Sequence, residues 1–216
     1  MDTFITGDTL WPEGWTKLHL YVIPDPHEIT PLVDLYRGVI DQFEFLSPVR
    51  DEWLHATVQM IDGPPAREVT PDQGAELETR LRDQFGQLPP FTMTAGGAVA
   101  NRSSVVLDLT PDRDFTEIIH RSRTVIRDVL GENAIKYSSC RPHITLGYAR
   151  GPGDSGVVQS NLRNATDRRA TLTITEVWLV DVTQDPMLHE YRWDEIARVP
   201  LGPTPGGIDN ATGEGT

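Results

Sequence analysis

Alternating polar and apolar residues predict most of the strands in this chain. The predicted strands lie at residues 17–23, 53–61, 91–99, 104–109, 141–149, about 171–182 and about 188–199. Gly96 and Gly97 predict a bulge in the third of these strands, because an extra residue in a strand is often a glycine.

Apolar residues at helical spacing predict four helices, at about 28–45, 70–85, 114–130 and 155–162. Thr70 followed by Pro71 is typical of a capped helix start, and Gly131 is typical of a helix end. The second half of the chain repeats the order of the first. We therefore predict an α+β protein made of two similar lobes.

The domain organisation follows from where these elements begin and end. Residues 1–16 are predicted to be an N-terminal extension, and residues 17–200 a single bilobal domain. Residues 201–216 are rich in glycine and are predicted to be a disordered tail.

Two short motifs occupy equivalent places in the two halves, His55-Ala56-Thr57-Val58 and His143-Ile144-Thr145-Leu146. Successive side chains of a strand point to opposite faces, so each histidine shares a face with its threonine, about 6.5–7 Å away. This count puts Trp53 and Gln59 on the face of the first motif, and Leu54, Ala56, Val58 and Met60 on the other. It puts Arg141 on the face of the second motif and Cys140 on the opposite face.

A single His-X-Thr motif would more often be a partly buried histidine bonded to the backbone. Two such motifs on predicted strands, each with apolar residues at the alternate positions, indicate a catalytic site.

These residues resemble the two-histidine phosphoesterases, a family that includes the bacterial 2′-5′ RNA ligases and the related cyclic phosphodiesterases. The resemblance covers about residues 17–199 and rests on His55-Ala-Thr57 and His143-Ile-Thr145. It implies two lobes whose antiparallel sheets face a central groove, with helices packed outside. It also implies catalysis without a metal or cofactor. RNA-ligase-like members usually carry an arginine five residues after the second histidine, where this chain has Tyr148, so RNA is less supported than phosphoester chemistry.

The motif residues can supply what phosphodiester hydrolysis requires. His55 and His143 would serve as general base and general acid, because the histidine pKa lies near neutral pH. The sequence does not assign the two roles. Thr57 and Thr145 would donate hydrogen bonds to the phosphoryl oxygens.

Further residues are candidates for substrate binding. Trp53 could stack on a nucleobase or be a core aromatic, and Arg141 could pair with a phosphate or form a surface ion pair. His19 and Tyr21 share the polar face of the first strand and could line the groove, and Tyr148 takes the position of the family's arginine.

Charge and composition exclude several classes of protein. The net charge of −13 argues against a protein that coats long RNA or DNA. Cys140 is the only cysteine, so no intrachain disulfide can form, and together with the absence of a signal peptide or membrane span this predicts a cytoplasmic protein. Strand parity separates Cys140 from His143, which disfavours a thiolate nucleophile, and no spacing typical of a zinc site is present.

The sequence therefore predicts a monomeric, metal-independent hydrolase. Its substrate would be a 2′,3′-cyclic phosphate of a nucleotide or RNA end, or a related nucleotide phosphodiester. Two alternatives stay open: a catalytically silent nucleotide-binding or regulatory module of the same fold, and 2′-5′ RNA joining. Because no ATP-binding motif is present, joining would have to start from a cyclic phosphate.

Overall fold

The computed structural model describes residues 1–138, 141–165 and 168–202. In these residues the helices are α1 (Pro26–Ile40), α2 (Pro71–Phe85), α3 (Arg113–Leu130) and α4 (Ser155–Asn164). The strands are β1 (Thr16–Val22), β2 (Leu46–Pro48), β3 (Ala56–Met60), β4 (Phe91–Ala100), β5 (Ser104–Thr110), β6 (His143–Ala149), β7 (Arg169–Ile174), β8 (Glu176–Asp185) and β9 (Glu190–Pro200). No helix in this part of the chain has the length and apolar character that a membrane span requires.

The strands form one antiparallel sheet in the order β7-β4-β5-β6-β3-β1-β8-β9, with β2 paired to β6. The two lobes are the halves of this sheet and meet where Ala56 of β3 pairs with Ile144 of β6. Helices α2 and α3 pack together on one lobe, and α1 and α4 pack on the other. The predicted α+β fold of two similar lobes with helices outside is confirmed.

Helix α2 shows how local sequence produces this packing. The Thr70 hydroxyl accepts a hydrogen bond from the Gln73 backbone N–H, and the Gln73 side chain bonds back to Thr70, so both ends of the capping box are satisfied. Leu77, Leu81 and Phe85 recur every four residues and are fully buried. One apolar stripe therefore docks the helix on the core.

Each motif strand contains a bulge directly after its threonine. In β3, Leu20 pairs with Gln59 and Tyr21 with Thr57, so Val58 is the extra residue. In β6, Val105 pairs with Gly147 and Val106 with Thr145, so Leu146 is the extra residue. A bulge reverses which face the following residues occupy.

Because of the first bulge, the residues of β3 that follow Val58 lie on the faces opposite to those predicted. Beyond Val58, Gln59 points into the core and is fully buried, whereas Met60 turns to the groove. The prediction that Gln59 shares the face of His55 and Thr57 is therefore wrong. The bulge predicted at Gly96 and Gly97 is confirmed, with Gly97 at φ +65°.

Three predicted strands also differ from the structure. The strand predicted at 171–182 is two strands, since β7 pairs with β4 and β8 pairs with β1 in the other lobe. Residues Asp51–Trp53 form a turn of 3-10 helix, so β3 begins after His55, and β6 begins at His143 rather than Arg141. The short strand β2 was not predicted.

The first fifteen residues pack against both lobes. The Phe4 N–H donates to the Ala149 carbonyl, and the Trp11 N–H donates to the Gln184 side chain, 2.8 Å in each case. Ile5 is buried. At the other end, Leu201 is buried and donates to the Thr175 carbonyl. Residues 203–216 of the predicted tail, and Cys140, lie outside the described residues.

Candidate active site

The two motifs lie side by side because β3 and β6 are antiparallel neighbours. Their register pairs Ala56 with Ile144. One residue to either side of this pair, His55 lies opposite Thr145 and Thr57 lies opposite His143. Residues directly opposite on antiparallel strands have Cβ atoms about 4.5–5.5 Å apart. The four side chains therefore form one compact group related by approximate two-fold symmetry.

Both histidine rings are oriented by the same backbone contact. Nδ1 of His55 donates to the Trp53 carbonyl at 2.9 Å, and Nδ1 of His143 donates to the Arg141 carbonyl at 2.8 Å. A carbonyl can only accept, so the proton is on Nδ1 in both rings. In a neutral ring, Nε2 is then the atom with a free lone pair.

His55 lies in an aromatic environment. Its ring stacks on Tyr21 with centroids 3.9 Å apart and meets the Trp193 ring nearly edge-on at 5.0 Å. Burial lowers the pKa of His55 to about 4, and repulsion from His143 acts in the same direction. His55 is therefore neutral at pH 7, whereas His143 is the more exposed of the two rings.

The motif side chains line a cavity of about 520 Å³. All four of His55, Thr57, His143 and Thr145 contribute to its wall. None of the described residues that line it is an Asp or Glu, in a chain whose net charge is −13. Lys17 also lines the cavity. Such a wall suits an anionic ligand, because no carboxylate opposes its charge.

The predicted substrate-binding residues divide into two groups. His19, Tyr21 and Tyr148 all line this cavity. Burial raises the pKa of Tyr148, and a hydrogen bond with the Thr145 side chain opposes this rise only in part. Tyr148 is therefore a neutral hydroxyl at the position where the family's arginine would carry a charge. It faces the cavity because of the bulge at Leu146.

The side chains of Trp53 and Arg141 do not contribute to this wall. Trp53 packs against Trp193 with centroids 4.9 Å apart, and the Arg50 guanidinium lies 5.9 Å from its ring centroid. Arg141 lines a separate cavity of about 320 Å³. Both residues precede their strands, where the two-residue alternation does not hold. What they contribute to the motifs is the carbonyl that orients each histidine.

Both ends of the chain contribute to the cavity, which the sequence did not predict. Phe4, Thr9 and Trp11 come from the N-terminal segment, and Tyr191 comes from β9. The Gln184 side chain holds this segment, since it accepts from the Trp11 N–H at 2.8 Å and donates to the Thr9 carbonyl at 2.9 Å. The available signal was the large apolar side chains in an otherwise polar segment.

Potential metal ligands are dispersed in the described part of the chain. No three His, Cys, Asp or Glu residues of that part lie close enough together to hold a metal ion.

Comparisons with known proteins agree with this geometry. The family model of the 2′-5′ RNA ligase superfamily matches residues 24–186. Among solved structures, TT0787 of Thermus thermophilus is 18% identical, with a TM-score of 0.66 over 86% of this chain and 97% of that chain. E. coli LigT complexed with 3′-AMP is also 18% identical, with a TM-score of 0.59 over 87% and 98%.

E. coli LigT complexed with ATP is 17% identical, with a TM-score of 0.61 over 87% of this chain and 99% of that chain. At these identities the solved structures show a shared fold. None of the curated protein sequences matches the chain. Because the family model spans most of the chain and includes both motifs, the chain belongs to the 2′-5′ RNA ligase superfamily of two-histidine phosphoesterases.

Proposed function

We propose that this chain is a metal-independent phosphoesterase that opens a 2′,3′-cyclic phosphate, or a related nucleotide phosphodiester, by general acid–base catalysis. The observation that carries the proposal is the arrangement of the two motifs. His55 and Thr57 lie opposite Thr145 and His143 on neighbouring strands, at a cavity whose described wall has no carboxylate.

His55 is the proposed general base. It is neutral at pH 7 because burial lowers its pKa, and its Nε2 has no hydrogen-bond partner among the described residues. Nε2 would take a proton from water as the water oxygen forms a bond to phosphorus. A base must be unprotonated at the working pH, and the environment of His55 meets that requirement.

His143 is the proposed general acid. As the bond from phosphorus to the ribose oxygen breaks, the protonated ring would give its Nε2 proton to that leaving oxygen. The product is a phosphate monoester. One histidine has gained a proton and the other has lost one, so proton exchange with water restores the starting state.

Thr57 and Thr145 would stabilise the transition state. Their hydroxyls can donate to the non-bridging oxygens, where negative charge increases as the water attacks. A nucleotide fits the aromatic and carboxylate-free wall. E. coli LigT, which shares the fold, has been crystallised with 3′-AMP and ATP.

The test is hydrolysis of the four 2′,3′-cyclic nucleotides and of an oligonucleotide with a cyclic-phosphate end, all with EDTA present. His55→Ala and His143→Ala should each lower kcat by about 10²–10⁴-fold, the usual contribution of a positioned acid or base. His27→Ala is the matched control, because His27 is exposed on α1 and should leave kcat unchanged.

Turnover that is indifferent to both changes would reject the mechanism. An absence of turnover on every substrate would favour a nucleotide-binding module of the same fold. A 5′-hydroxyl oligonucleotide in the same assay tests RNA joining, which would yield a longer product.

A further inference from the structure

The cavity continues beyond the two motifs into a second part, which we call the outer compartment and define by Trp11, Lys17, His19 and Tyr191. The Trp11 ring centroid lies 5.9 Å from that of His19 and 5.6 Å from that of Tyr191. The Lys17 Nζ lies 5.1 Å from the centroid of the Trp11 ring. The compartment therefore has aromatic walls, which suit a flat ligand group.

The outer compartment lies two positions along β1 from the motifs. In β1, Tyr21 pairs with Thr57 and His19 pairs with Met60. Two positions along a strand are about 6.5–7 Å apart. A ligand whose phosphate lies at the motifs would therefore place a group one sugar ring away in the outer compartment.

His19 presents an unused hydrogen-bond acceptor to this space. The residue is only 4% exposed, and its Nδ1 donates to the Lys17 carbonyl at 3.1 Å. Among the described residues, none forms a hydrogen bond with Nε2. Burial lowers the pKa of His19 to about 3, so the ring is neutral at pH 7 and Nε2 can only accept. Because His19 lines the cavity, a ligand that displaces water from this space leaves Nε2 unpaired unless the ligand brings a donor.

We infer that the outer compartment holds a nucleobase beside Trp11, and that Nε2 of His19 accepts a hydrogen bond from an exocyclic amino group of that base. The inference rests on the proposed function, which places the phosphate at the motifs. In a 2′,3′-cyclic nucleotide both vicinal ribose oxygens are esterified, so the base is the main remaining source of donors. Adenine and cytosine carry a suitable amino group, whereas uracil has a carbonyl oxygen at the equivalent position.

The decisive comparison uses the wild-type protein and pairs of substrates that differ in this amino group. The first pair is 2′,3′-cyclic AMP and the same compound without its 6-amino group, and the second is 2′,3′-cyclic CMP and 2′,3′-cyclic UMP. We expect kcat/KM to favour the amino-bearing member of each pair by about tenfold or more, because its partner leaves a buried acceptor unpaired. Equal kcat/KM values within both pairs would overturn the inference.

Two variants test whether His19 causes the preference for the amino-bearing substrates. His19→Phe keeps an aromatic ring but removes the acceptor, so the ratio within each pair should fall to about one. His19→Gln keeps a side-chain acceptor and should retain part of the preference. A ratio unchanged in His19→Phe would overturn the assignment. If neither variant folds, the comparison of substrates with the wild-type protein still shows whether a site recognises the amino group of the base.

Binding measurements separate failure of this inference from failure of the proposed function. Calorimetric titration of His143→Ala with the same substrate pairs measures discrimination without turnover. Discrimination in binding, with no turnover by the wild type, would support the base site and reject the hydrolase. Turnover without discrimination between the substrates of a pair would reject the base site but would not contradict the proposed hydrolytic function. No binding of any pair would reject both.

Discussion

At the residue scale, three histidines share one backbone contact and differ in their surroundings. His19, His55 and His143 each donate from Nδ1 to the carbonyl two residues earlier. This contact orients each ring, and in His19 and His55 it leaves Nε2 available for chemistry or binding. Burial lowers the pKa of both His19 and His55, so these two rings are neutral at pH 7.

The environment of His55 predicts an unusual pH profile. If His55 is the base, the acidic limb of kcat/KM should fall at about pH 4 rather than near the ordinary histidine pKa of about 6.5. Tyr21→Ala would admit water beside the ring and should move this limb upward. The profile is measured by steady-state kinetics over the range in which near-UV circular dichroism shows a folded protein. A limb near 6.5 in the wild type would contradict the assignment.

The threonine hydroxyls give a second prediction at this scale. Thr57→Val removes the hydroxyl and preserves the shape of the side chain, so kcat should fall by about 10²–10³-fold, whereas Thr57→Ser should retain most activity. Thr145→Val should have a similar effect, but it also removes the hydrogen bond with Tyr148. Thr124→Val, on the exposed side of α3, serves as the control. Full activity in Thr57→Val would exclude the hydroxyl from the reaction.

At the scale of elements, the two bulges decide which residues accompany the motifs. The extra residues Val58 and Leu146 follow the threonines and reverse the faces of the strands beyond them. As a result Met60 and Tyr148, each five residues after a motif histidine, both line the cavity. The correspondence between the lobes therefore extends past the four motif residues.

The buried Gln184 side chain holds residues 9–11 of the N-terminal segment. Gln184→Leu removes the hydrogen bonds to the Trp11 N–H and the Thr9 carbonyl, each of which would cost about 1–3 kcal/mol if left unpaired and buried. We expect this part to detach while residues 1–5 stay in place, so that proteases cut near Thr9 and Trp11 faster and KM for the cyclic nucleotide rises more than kcat falls. Limited proteolysis with mass spectrometry and steady-state kinetics provide the measurements.

Gln159→Leu is the matched control for this change. Gln159 also makes two side-chain hydrogen bonds to the backbone, with Ala98 and Ala100, but these join α4 to β4. The control should destabilise the protein without exposing the N-terminal segment. Equal proteolysis of the two variants would show that Gln184 does not hold the segment specifically.

At the scale of the whole molecule, few contacts join the central strands of the two lobes. Strands β3 and β6 share the pair Ala56 and Ile144. Arg50, just beyond β2 of the second lobe, forms a bidentate ion pair with the buried Glu190 of β9 in the first lobe, at 2.7 and 3.2 Å. Arg192 also bonds Glu190. This ion pair adds to the links between the lobes that the N-terminal segment provides.

The buried histidines predict how stability depends on pH. In the unfolded chain His19 and His55 take up protons below about pH 6.5, whereas in the folded chain they stay neutral to about pH 3 and 4. The unfolded state therefore binds more protons in this window, and the free energy of unfolding falls as the pH drops through it. Each histidine contributes on the order of 1.4 kcal/mol per pH unit, or about 2 kcal/mol between pH 6.5 and 5.

Urea unfolding at pH 7.5 and pH 5 measures this loss. Because carboxylates also titrate as the pH falls, the relevant quantity is the difference between variants. His19→Phe should lose less stability between the two pH values than the wild type, and Gln159→Leu, which removes no titratable group, should lose the same amount as the wild type. Identical losses in wild type and His19→Phe would show that His19 titrates normally in the folded state.

The sequence by itself determined most of the elements and both motifs of this protein. Alternation, helical spacing and local signals such as Thr70-Pro71 and Gly131 depend on neighbouring residues, so they can be recognised without the fold. The two His-X-Thr motifs are also local patterns. Their repetition at equivalent places identified the four central side chains and predicted the two-lobed arrangement.

The tertiary structure alone decided which side chains surround the motifs and what charge they carry. Counting faces assumes an unbroken strand, which the bulge at Val58 and the turn before His55 interrupt. The split into β7 and β8 depends on partners in different lobes, and the place of Trp11 depends on Gln184, far away in the chain. Burial, which lowers the pKa of His19 and His55, arises from packing between such distant segments, and no local pattern encodes it.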